Sequence, residues 1–420
     1  MQKNRAVILG NGGAAISAAR AARIAGHRGE IHLVSDTAES AFNPMLSPYY
    51  FRGKVPWEGC FPFGEDFYRN HEITCHFGVP VANLEATRQQ VTLTDGQMFS
   101  YDSCLIATGA SPVIPPVPGL RESTRTLPLR SAGSARKLEE AMQTARRVLI
   151  LGASLVGIEM AEVLVKRGIT VVLLDVLDQI LHRDTHPSVA VILMKYLESQ
   201  GVDVRLGCSM QEMEETKDGV TCHFAGDVIE EVDFVVCSTG VRSNIDFVNR
   251  DEVKVDLGVL TDDRMRTNVE NLYAAGDASQ AFNRVTGQHD WMGTWGNACY
   301  QGRTAGQGLA GRKAFFAGSL PENISPLFEW NYAQLGDIQP KTGEVRHLAC
   351  GDPERGGYNL LAFSDGFLTG ANLINCTHLA GKLSGAILRK WRCESMVGRA
   401  DGDFTEAAVE EILNECTASC

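Results

Sequence analysis

Val7-Ile8-Leu9-Gly10-Asn11-Gly12-Gly13-Ala14-Ala15 stands near the amino end of the chain, and Leu149-Ile150-Leu151-Gly152-Ala153-Ser154-Leu155-Val156-Gly157-Ile158-Glu159 repeats its plan about 140 residues later. Each stretch starts as an apolar strand, breaks at a glycine-rich turn and runs into an alanine-rich or amphipathic helix. A strand that ends in such a turn aims the next helix's N-terminus at whatever lies beyond it. Free backbone N–H groups and the positive end of the helix dipole then meet an anion, typically a pyrophosphate. Two units in one chain imply two adenine dinucleotides held at once, and the usual reason to hold two is to pass a hydride between them.

In the first unit, Gly10 makes the turn and Gly12 lets the backbone approach the phosphates. Ala15 takes the place where the helix must pack close to the strand. The next strand, Ile31 to Ser35, ends at Asp36, a carboxylate suited to ribose hydroxyls. In the second unit, Gly152 and Gly157 fill the first and third glycine positions, and Ser154 replaces the middle one. Its Cβ crowds the pyrophosphate slightly, while its hydroxyl could donate to it. The following strand, Ile169 to Leu174, ends at Asp175, twenty-three residues after Gly152, the spacing of a ribose-binding acid in NAD sites. No arginine follows Asp175 to take a 2′-phosphate, so NAD is favoured over NADP. A nucleophile elbow at Gly152-Ala153-Ser154 is excluded, because it needs glycine where Val156 stands.

A chain of 420 residues predicts two to three domains, at roughly 150 residues each. Net charge of −12 argues against nucleic-acid and anionic-membrane partners. The first strand begins within six residues of Met1, so no signal peptide is expected, and no apolar run reaches the length of a membrane span. The expectation is a cytoplasmic protein. Of the twelve cysteines, most sit singly in apolar strands, as Cys104 and Cys237 do, and read as small buried hydrophobes in a reducing compartment. There is no C-x-x-C, and the ten histidines show no metal-binding spacing, so no metal site is expected.

After each fingerprint comes an antiparallel excursion and then a return strand. The first excursion, Val91 to Tyr101 around Asp95-Gly96, closes with Leu105-Ile106-Ala107-Thr108-Gly109. The second, around Asp218-Gly219, closes with Phe234-Val235-Val236-Cys237-Ser238-Thr239-Gly240. Asp-Gly between alternating strands signals a hairpin. The recurrence in order is an internal duplication. The proline-rich stretch Pro112 to Pro118 reads as a linker.

This layout resembles the pyridine nucleotide–disulfide oxidoreductases, flavoproteins that bind two dinucleotides. Within them it looks most like ferredoxin or rubredoxin reductases and the flavin part of NADH-dependent nitrite reductase. The motifs that carry the resemblance are the two glycine turns, Ala107-Thr108-Gly109, Glu159, Thr239-Gly240-Val241-Arg242-Ser243-Asn244 and Asn271-Leu272-Tyr273-Ala274-Ala275-Gly276-Asp277. The resemblance implies an α/β fold with two Rossmann-like three-layer domains. The FAD domain is discontinuous (residues 1–115 and 243–326), an NAD domain is inserted at 116–242, and an α+β interface domain spans 327–420. It implies that Gly276 and Asp277 hold the ribityl chain of FAD. It also implies that the helix beginning near Trp295, with Thr294 as N-cap, approaches the flavin ring, and that Glu159 lines the site where nicotinamide stacks. In the interface domain, strands are expected at Asn331–Leu335, Glu344–Ala349, Tyr358–Phe363 and Phe367–Ile374, with helices near Leu379–Arg392 and Phe404–Glu415.

Relatives that reduce disulfides or peroxide place a cysteine beside the flavin. The matching stretch here, Ala41-Phe42-Asn43-Pro44-Met45-Leu46-Ser47-Pro48-Tyr49-Tyr50, is counted with the cofactor site through Asn43 but holds Met45 at the cysteine's place. A thioether forms no thiolate, mixed disulfide or recyclable sulfenic acid. This disfavours an NADH oxidase or coenzyme A-disulfide reductase. What remains is exchange of a hydride with NAD(H) and of electrons with an iron–sulfur protein or subunit. The resemblance extends to flavin subunits of larger assemblies such as phenylglyoxylate or tungsten aldehyde oxidoreductases. The alternatives are a stand-alone ferredoxin or rubredoxin reductase, and a non-enzymatic NADH-sensing flavoprotein. Cys416 and Cys420 read as tail cysteines without function.

Overall fold

The computed structural model describes residues 4–64, 66–392 and 409, and in it each fingerprint strand sits at the centre of its own five-stranded parallel sheet. The first sheet runs Leu272–Ala274, Ser103–Ile106, Ala6–Leu9, Ile31–Ser35, Ile73–Phe77. The second runs Val202–Arg205, Thr170–Leu174, Arg147–Leu151, Phe234–Cys237, Thr126–Pro128. Leu9 lies level with Val34 and Ile106, and Leu151 with Leu174 and Cys237. Both glycine turns therefore leave the carboxyl edge where the strand order reverses, the place at which open α/β sheets bind ligands.

Both central strands are apolar, apart from Arg147 at the start of the second, because both faces are covered. Ala6 and Ile8 pack with helix Gly13–Ile24, while Val7 and Leu9 pack with Leu84, Val91 and Leu93 of the first excursion. Val148 and Ile150 meet helix Leu155–Lys166, and Leu149 and Leu151 meet Met213, Val220 and Cys222 of the second. Each excursion forms three antiparallel strands, so each unit has three layers. The strand Leu272–Ala274 joins the first sheet only after the second is complete, which makes the first unit discontinuous.

Helix Gly13–Ile24 is crossed closely by helix Trp295–Leu309. A Cβ on Gly302 would lie 2.2 Å from the Ala14 carbonyl oxygen, and one on Gly306 2.2 Å from that of Ala18. Small residues on both helices bring the N-terminus of Trp295–Leu309 against the first glycine turn.

The carboxy-terminal sheet is antiparallel, in the order Glu322–Leu327, Trp330–Gly336, Phe367–Ile374, Gly357–Ser364, Val345–Asp352. Its first strand is absent from the sequence reading. Pro326 within it lacks an N–H and reads as a breaker, yet it is tolerated because this strand is an edge. The helix expected over 379–392 is a 3-10 turn followed by Ala380–Leu388, and it ends before Lys390, whose φ is +52°. The expected helix Phe404–Glu415 (Val409 apart), Cys416 and Cys420 lie outside the described residues. Among the described residues no helix is long and apolar enough to cross a membrane.

Candidate functional site

Gly10, Gly12, Asp36, Ala107, Thr108, Gly109, Gly276, Asp277 and Trp295, scattered over nearly three hundred residues, line one cleft of about 770 Å³. Gly10 has φ +117°, and a Cβ there would fall 2.0 Å from the Ala107 carbonyl oxygen. Gly12 is different: a Cβ on it would meet nothing within 4 Å, so its absence leaves space in the cleft rather than room for the fold. Gly12 also caps helix Gly13–Ile24 without any side-chain hydrogen bond. The first-turn N–H groups of that helix are free to bind an anion.

Three braces hold the cleft walls. Tyr68 donates to Asn11 Oδ1 (2.8 Å), and Asn11 Nδ2 donates to the Glu39 carbonyl (3.0 Å), which ties the glycine turn to the loop after Asp36. Thr108 Oγ1 donates to the Asn244 carbonyl (2.6 Å), and Asn244 Nδ2 donates back to that of Thr108 (3.1 Å). The Ala107-Thr108-Gly109 and Thr239–Asn244 motifs are thus one structural unit. Gln301 accepts from Gly276 N–H (2.7 Å) and Ser279 Oγ (2.8 Å), which docks helix Trp295–Leu309 onto the Gly276-Asp277 turn. Thr294 accepts from Asn297 N–H (3.4 Å), so it is the N-cap of that helix. Met45, 41% exposed, stands in the cleft wall.

The Asp277 carboxylate is buried and paired with the Arg130 guanidinium, whose Nε also donates to the Ala110 carbonyl (3.1 Å). Sequence reasoning missed Arg130. It follows the strand Thr126–Pro128, and a single arginine at a strand-to-helix corner carries no signal in one sequence. Ala15 is buried one turn into its helix, as a packing residue should be. Asn43 is buried but does not line the cleft; its Oδ1 accepts from Met45 N–H (3.1 Å) and holds the turn Pro44–Leu46.

Gly152, Ser154, Gly157, Asp175 and Gly240 gather at the second turn. A Cβ on Gly157 would lie 2.1 Å from the Gly152 carbonyl oxygen, which explains the third glycine. Ser154 departs from the expectation that its hydroxyl faces a pyrophosphate. Its single proton goes to the Ser238 carbonyl (2.9 Å), and its oxygen accepts from Gly157 N–H (3.4 Å) as N-cap of helix Leu155–Lys166. Asp175 accepts from Ala153 N–H (2.7 Å) and Leu177 N–H (3.0 Å), so part of its acceptor capacity supports the glycine turn itself. Gly240 is exposed, with φ +102° and nothing within 4 Å of an added Cβ.

Glu159 stands two residues after Gly157 on helix Leu155–Lys166 and is not among the residues that line the first cleft. It is buried, and Ser325 Oγ of the carboxy-terminal sheet donates to its Oε1 (2.7 Å). Burial pushes its carboxyl pKa up, against the Ser325 hydrogen bond and the Arg52 charge.

The sequence matches the family model described as pyridine nucleotide-disulphide oxidoreductase over residues 4–302. The chain belongs to that family. It is 31% identical over 394 residues to the NADH-dependent phenylglyoxylate dehydrogenase subunit epsilon of Aromatoleum evansii, covering 93% of each chain. It is 28% identical to the NADH oxidase of Methanocaldococcus jannaschii, over 86% of this chain and 77% of that one. The fold superposes on a crystal structure of the covalent putidaredoxin reductase–putidaredoxin complex with TM-score 0.90 and 24% identity, covering 99% of both chains. This member of the pyridine nucleotide-disulphide oxidoreductases is an oxidoreductase whose cofactors are FAD and NAD(H). The cleft fits such a ligand: the open cradle at Gly12, the uncapped helix and the Asp36 and Asp277 carboxylates in its lining are what a dinucleotide requires.

Proposed function

We propose that this oxidoreductase carries reducing equivalents between NAD(H) and an iron–sulfur protein or subunit, as the flavin component of a larger complex. In this reading residues 1–115 and 243–321 hold FAD, 116–242 hold NAD(H), and the antiparallel sheet that opens with strand Glu322–Leu327, five residues earlier than the sequence places the boundary, belongs to an interface unit. FAD supplies the step from a hydride to single electrons. The chain's own residues bind and orient. The N–H groups opening helix Gly13–Ile24 take the pyrophosphate, and Asp36 takes the ribose hydroxyls at one end of the cleft. Asp277, fixed by Arg130, takes hydroxyls at the other end, and the helix beginning at Trp295 presents its positive end to the ring. At the second turn Gly152, Gly157 and Gly240 leave backbone room for NAD(H), and the free lone pairs of Asp175 take its adenine ribose.

The observation that carries the reading is Met45. It stands in the cleft wall where a redox cysteine would act, and it has no ionisable sulfur. A relative named as subunit epsilon of an NADH-dependent phenylglyoxylate dehydrogenase, 31% identical and aligned over 93% of both chains, supports a role inside an assembly. The relative named NADH oxidase supports a second reading, reduction of oxygen. Met45→Cys separates them. The unaltered protein is expected to reduce one-electron dyes from NADH and to leave disulfides and peroxide untouched, while Met45→Cys gains NADH-dependent disulfide reduction. An unaltered protein that reduces disulfides or peroxide as fast as dyes, or that turns oxygen into water without leaking peroxide, overturns the proposal.

A further inference from the structure

A second cavity, of about 140 Å³, shares no lining residue with the dinucleotide cleft. Arg264, Arg266 and Arg312 stand around it with Tyr273, Thr304 and Gly308, and no carboxylate lines it.

Local structure fixes these groups. Asp262 Oδ1 accepts from the backbone N–H of Arg264 (2.8 Å) and of Arg266 (2.9 Å), which closes a tight turn. Met265 between them is fully buried with φ +60°, a left-handed backbone that costs a methionine energy and that its anchored side chain holds. Arg266 bridges to Tyr273, the middle residue of strand Leu272–Ala274. A Cβ on Gly308 would lie 2.6 Å from Tyr273 Cε1, so the bare backbone of helix Trp295–Leu309 lets the phenol lie against it. Burial pushes the Tyr273 pKa up, against the Arg266 charge, so the hydroxyl keeps its proton. Among the described residues that hydroxyl donates to no protein group.

The charge balance around the cavity is positive. Arg266 is engaged by Asp262 through Nε (2.8 Å) and Nη2 (2.6 Å). Asp263, which is exposed, also acts on Arg266. Arg264 lies over the Phe315 ring, 4.7 Å from Cζ to centroid, and Arg312 Nε donates to the Ala25 carbonyl (3.2 Å). Neither arginine pairs with a carboxylate among the described residues. Three arginines against Asp262 and Asp263 leave one positive charge. The negative end of helix Trp295–Leu309 removes about half of it, and Lys313, exposed beside Arg312, adds another. The Thr304 proton goes to the Tyr300 carbonyl (3.3 Å). The cavity thus offers donors in excess of acceptors: the Arg264 guanidinium, the terminal nitrogens of Arg312 and the Tyr273 hydroxyl. Guanidinium forks match the oxygens of a phosphate group. A whole nucleotide is too large, since pockets for ligands of that size run to roughly 300–1,000 Å³.

We propose that this cavity binds a phosphate group, carried by inorganic phosphate or by the end of a monoester, apart from both dinucleotide sites. Arg264 and Arg312 grip its oxygens, Tyr273 donates a further hydrogen bond, and Arg266, held by Asp262, forms the wall between. The site shares its frame with the cleft. Tyr273 lies on the strand that runs into Gly276-Asp277, and Gly308 lies on the helix that begins at Trp295, roughly 20 Å away at helical rise. The proposal does not depend on which dinucleotides the protein carries.

Calorimetric titration of the holoprotein with inorganic phosphate, methyl phosphate and acetate tests it. NAD+ is kept in excess to fill the second glycine turn, and ionic strength is held constant with sodium chloride so that general screening does not change. Saturable binding of phosphate at a single site per chain is expected, with acetate far weaker. Methyl phosphate bound as tightly as phosphate marks a monoester ligand, and phosphate bound alone marks the free ion. Arg264→Gln and Arg312→Gln should each weaken binding by roughly tenfold or more, the worth of a charged hydrogen bond. Both should keep NADH-driven dye reduction unchanged in the absence of phosphate. Arg264→Lys, which keeps the charge and loses the fork, should bind between the parent and Arg264→Gln. If one of the glutamine variants does not fold, the other decides. No binding, binding that the folded glutamine variants retain in full, or acetate bound as tightly as phosphate overturns the proposal.

Discussion

Gly10 and Gly12 stand two residues apart in the same turn, and the structure assigns them opposite duties. Alanine at position 10 would need φ near +117°, and its Cβ would lie 2.0 Å from the Ala107 carbonyl oxygen, against ordinary contact beyond 3.4 Å. The turn and the end of the return strand would have to separate by roughly 1.4 Å, the difference between those distances. Backbone strain costs about 1–3 kcal/mol and forced repacking about as much again. A loss of about 2–6 kcal/mol is a large share of a folding stability of roughly 5–15 kcal/mol. Alanine at position 12 keeps an allowed backbone (φ −92°) and touches nothing within 4 Å. Its effect on stability should stay within about 0.5 kcal/mol. Its methyl would stand where a pyrophosphate must approach the helix N-terminus, and FAD affinity should fall by about tenfold or more, near 1.4 kcal/mol. Thermal unfolding of the apoproteins and titration with FAD measure the two effects separately. Gly12→Ala binding FAD unchanged, or Gly10→Ala folding as stably as the parent, would refute the division of labour.

Three further outcomes follow from the site. Asp277→Ala should weaken FAD binding by about 1.5–3 kcal/mol, the worth of a hydrogen bond to a charged acceptor, and Arg130→Ala should weaken it in the same direction by freeing Asp277; fluorescence titration reads both. NADH should reduce the bound flavin faster than NADPH, since Asp175 repels a 2′-phosphate, and Asp175→Ser with a nearby arginine should move the preference toward NADPH in stopped-flow comparison. Alkylation near neutral pH should leave NADH-driven dye reduction largely intact, with no cysteine at the Met45 position to take part in turnover; burial pushes the Cys75 thiol up to about 11 and those of Cys222 and Cys237 to about 12, leaving almost no thiolate at these three. Loss of most activity with flavin still bound would implicate a cysteine.

The parts of the fold legible in the sequence were those governed by local rules. Strand, glycine turn and helix at residues 7–24 and 149–166 follow from apolar runs and from φ values open only to glycine, as at Gly10 and Gly152. The Asp95-Gly96 hairpin was legible for the same reason. What stayed hidden depends on distant partners. The strand Glu322–Leu327 exists because Trp330–Gly336 folds back on it, despite Pro326. Arg130 finds Asp277 across 147 residues, and Arg52 finds Glu162 across 110. Ser154 looked like a phosphate ligand from its place in the turn, but the nearby Ser238 carbonyl claims its proton. Glu159 shows the same limit: its position in the motif was readable, while its partner Ser325 lies 166 residues away in another sheet.

The central claim is that electrons leave the reduced protein one at a time, to a metal centre and not to sulfur or oxygen. Stopped-flow mixing of the NADH-reduced holoprotein with ferredoxin, rubredoxin, coenzyme A disulfide and peroxide, with flavin reoxidation followed by absorbance, tests it directly. Rapid reoxidation by at least one of the iron proteins and slow reoxidation by the disulfide and the peroxide are expected. Rapid reoxidation by the disulfide or peroxide, with both iron proteins inert, would contradict it.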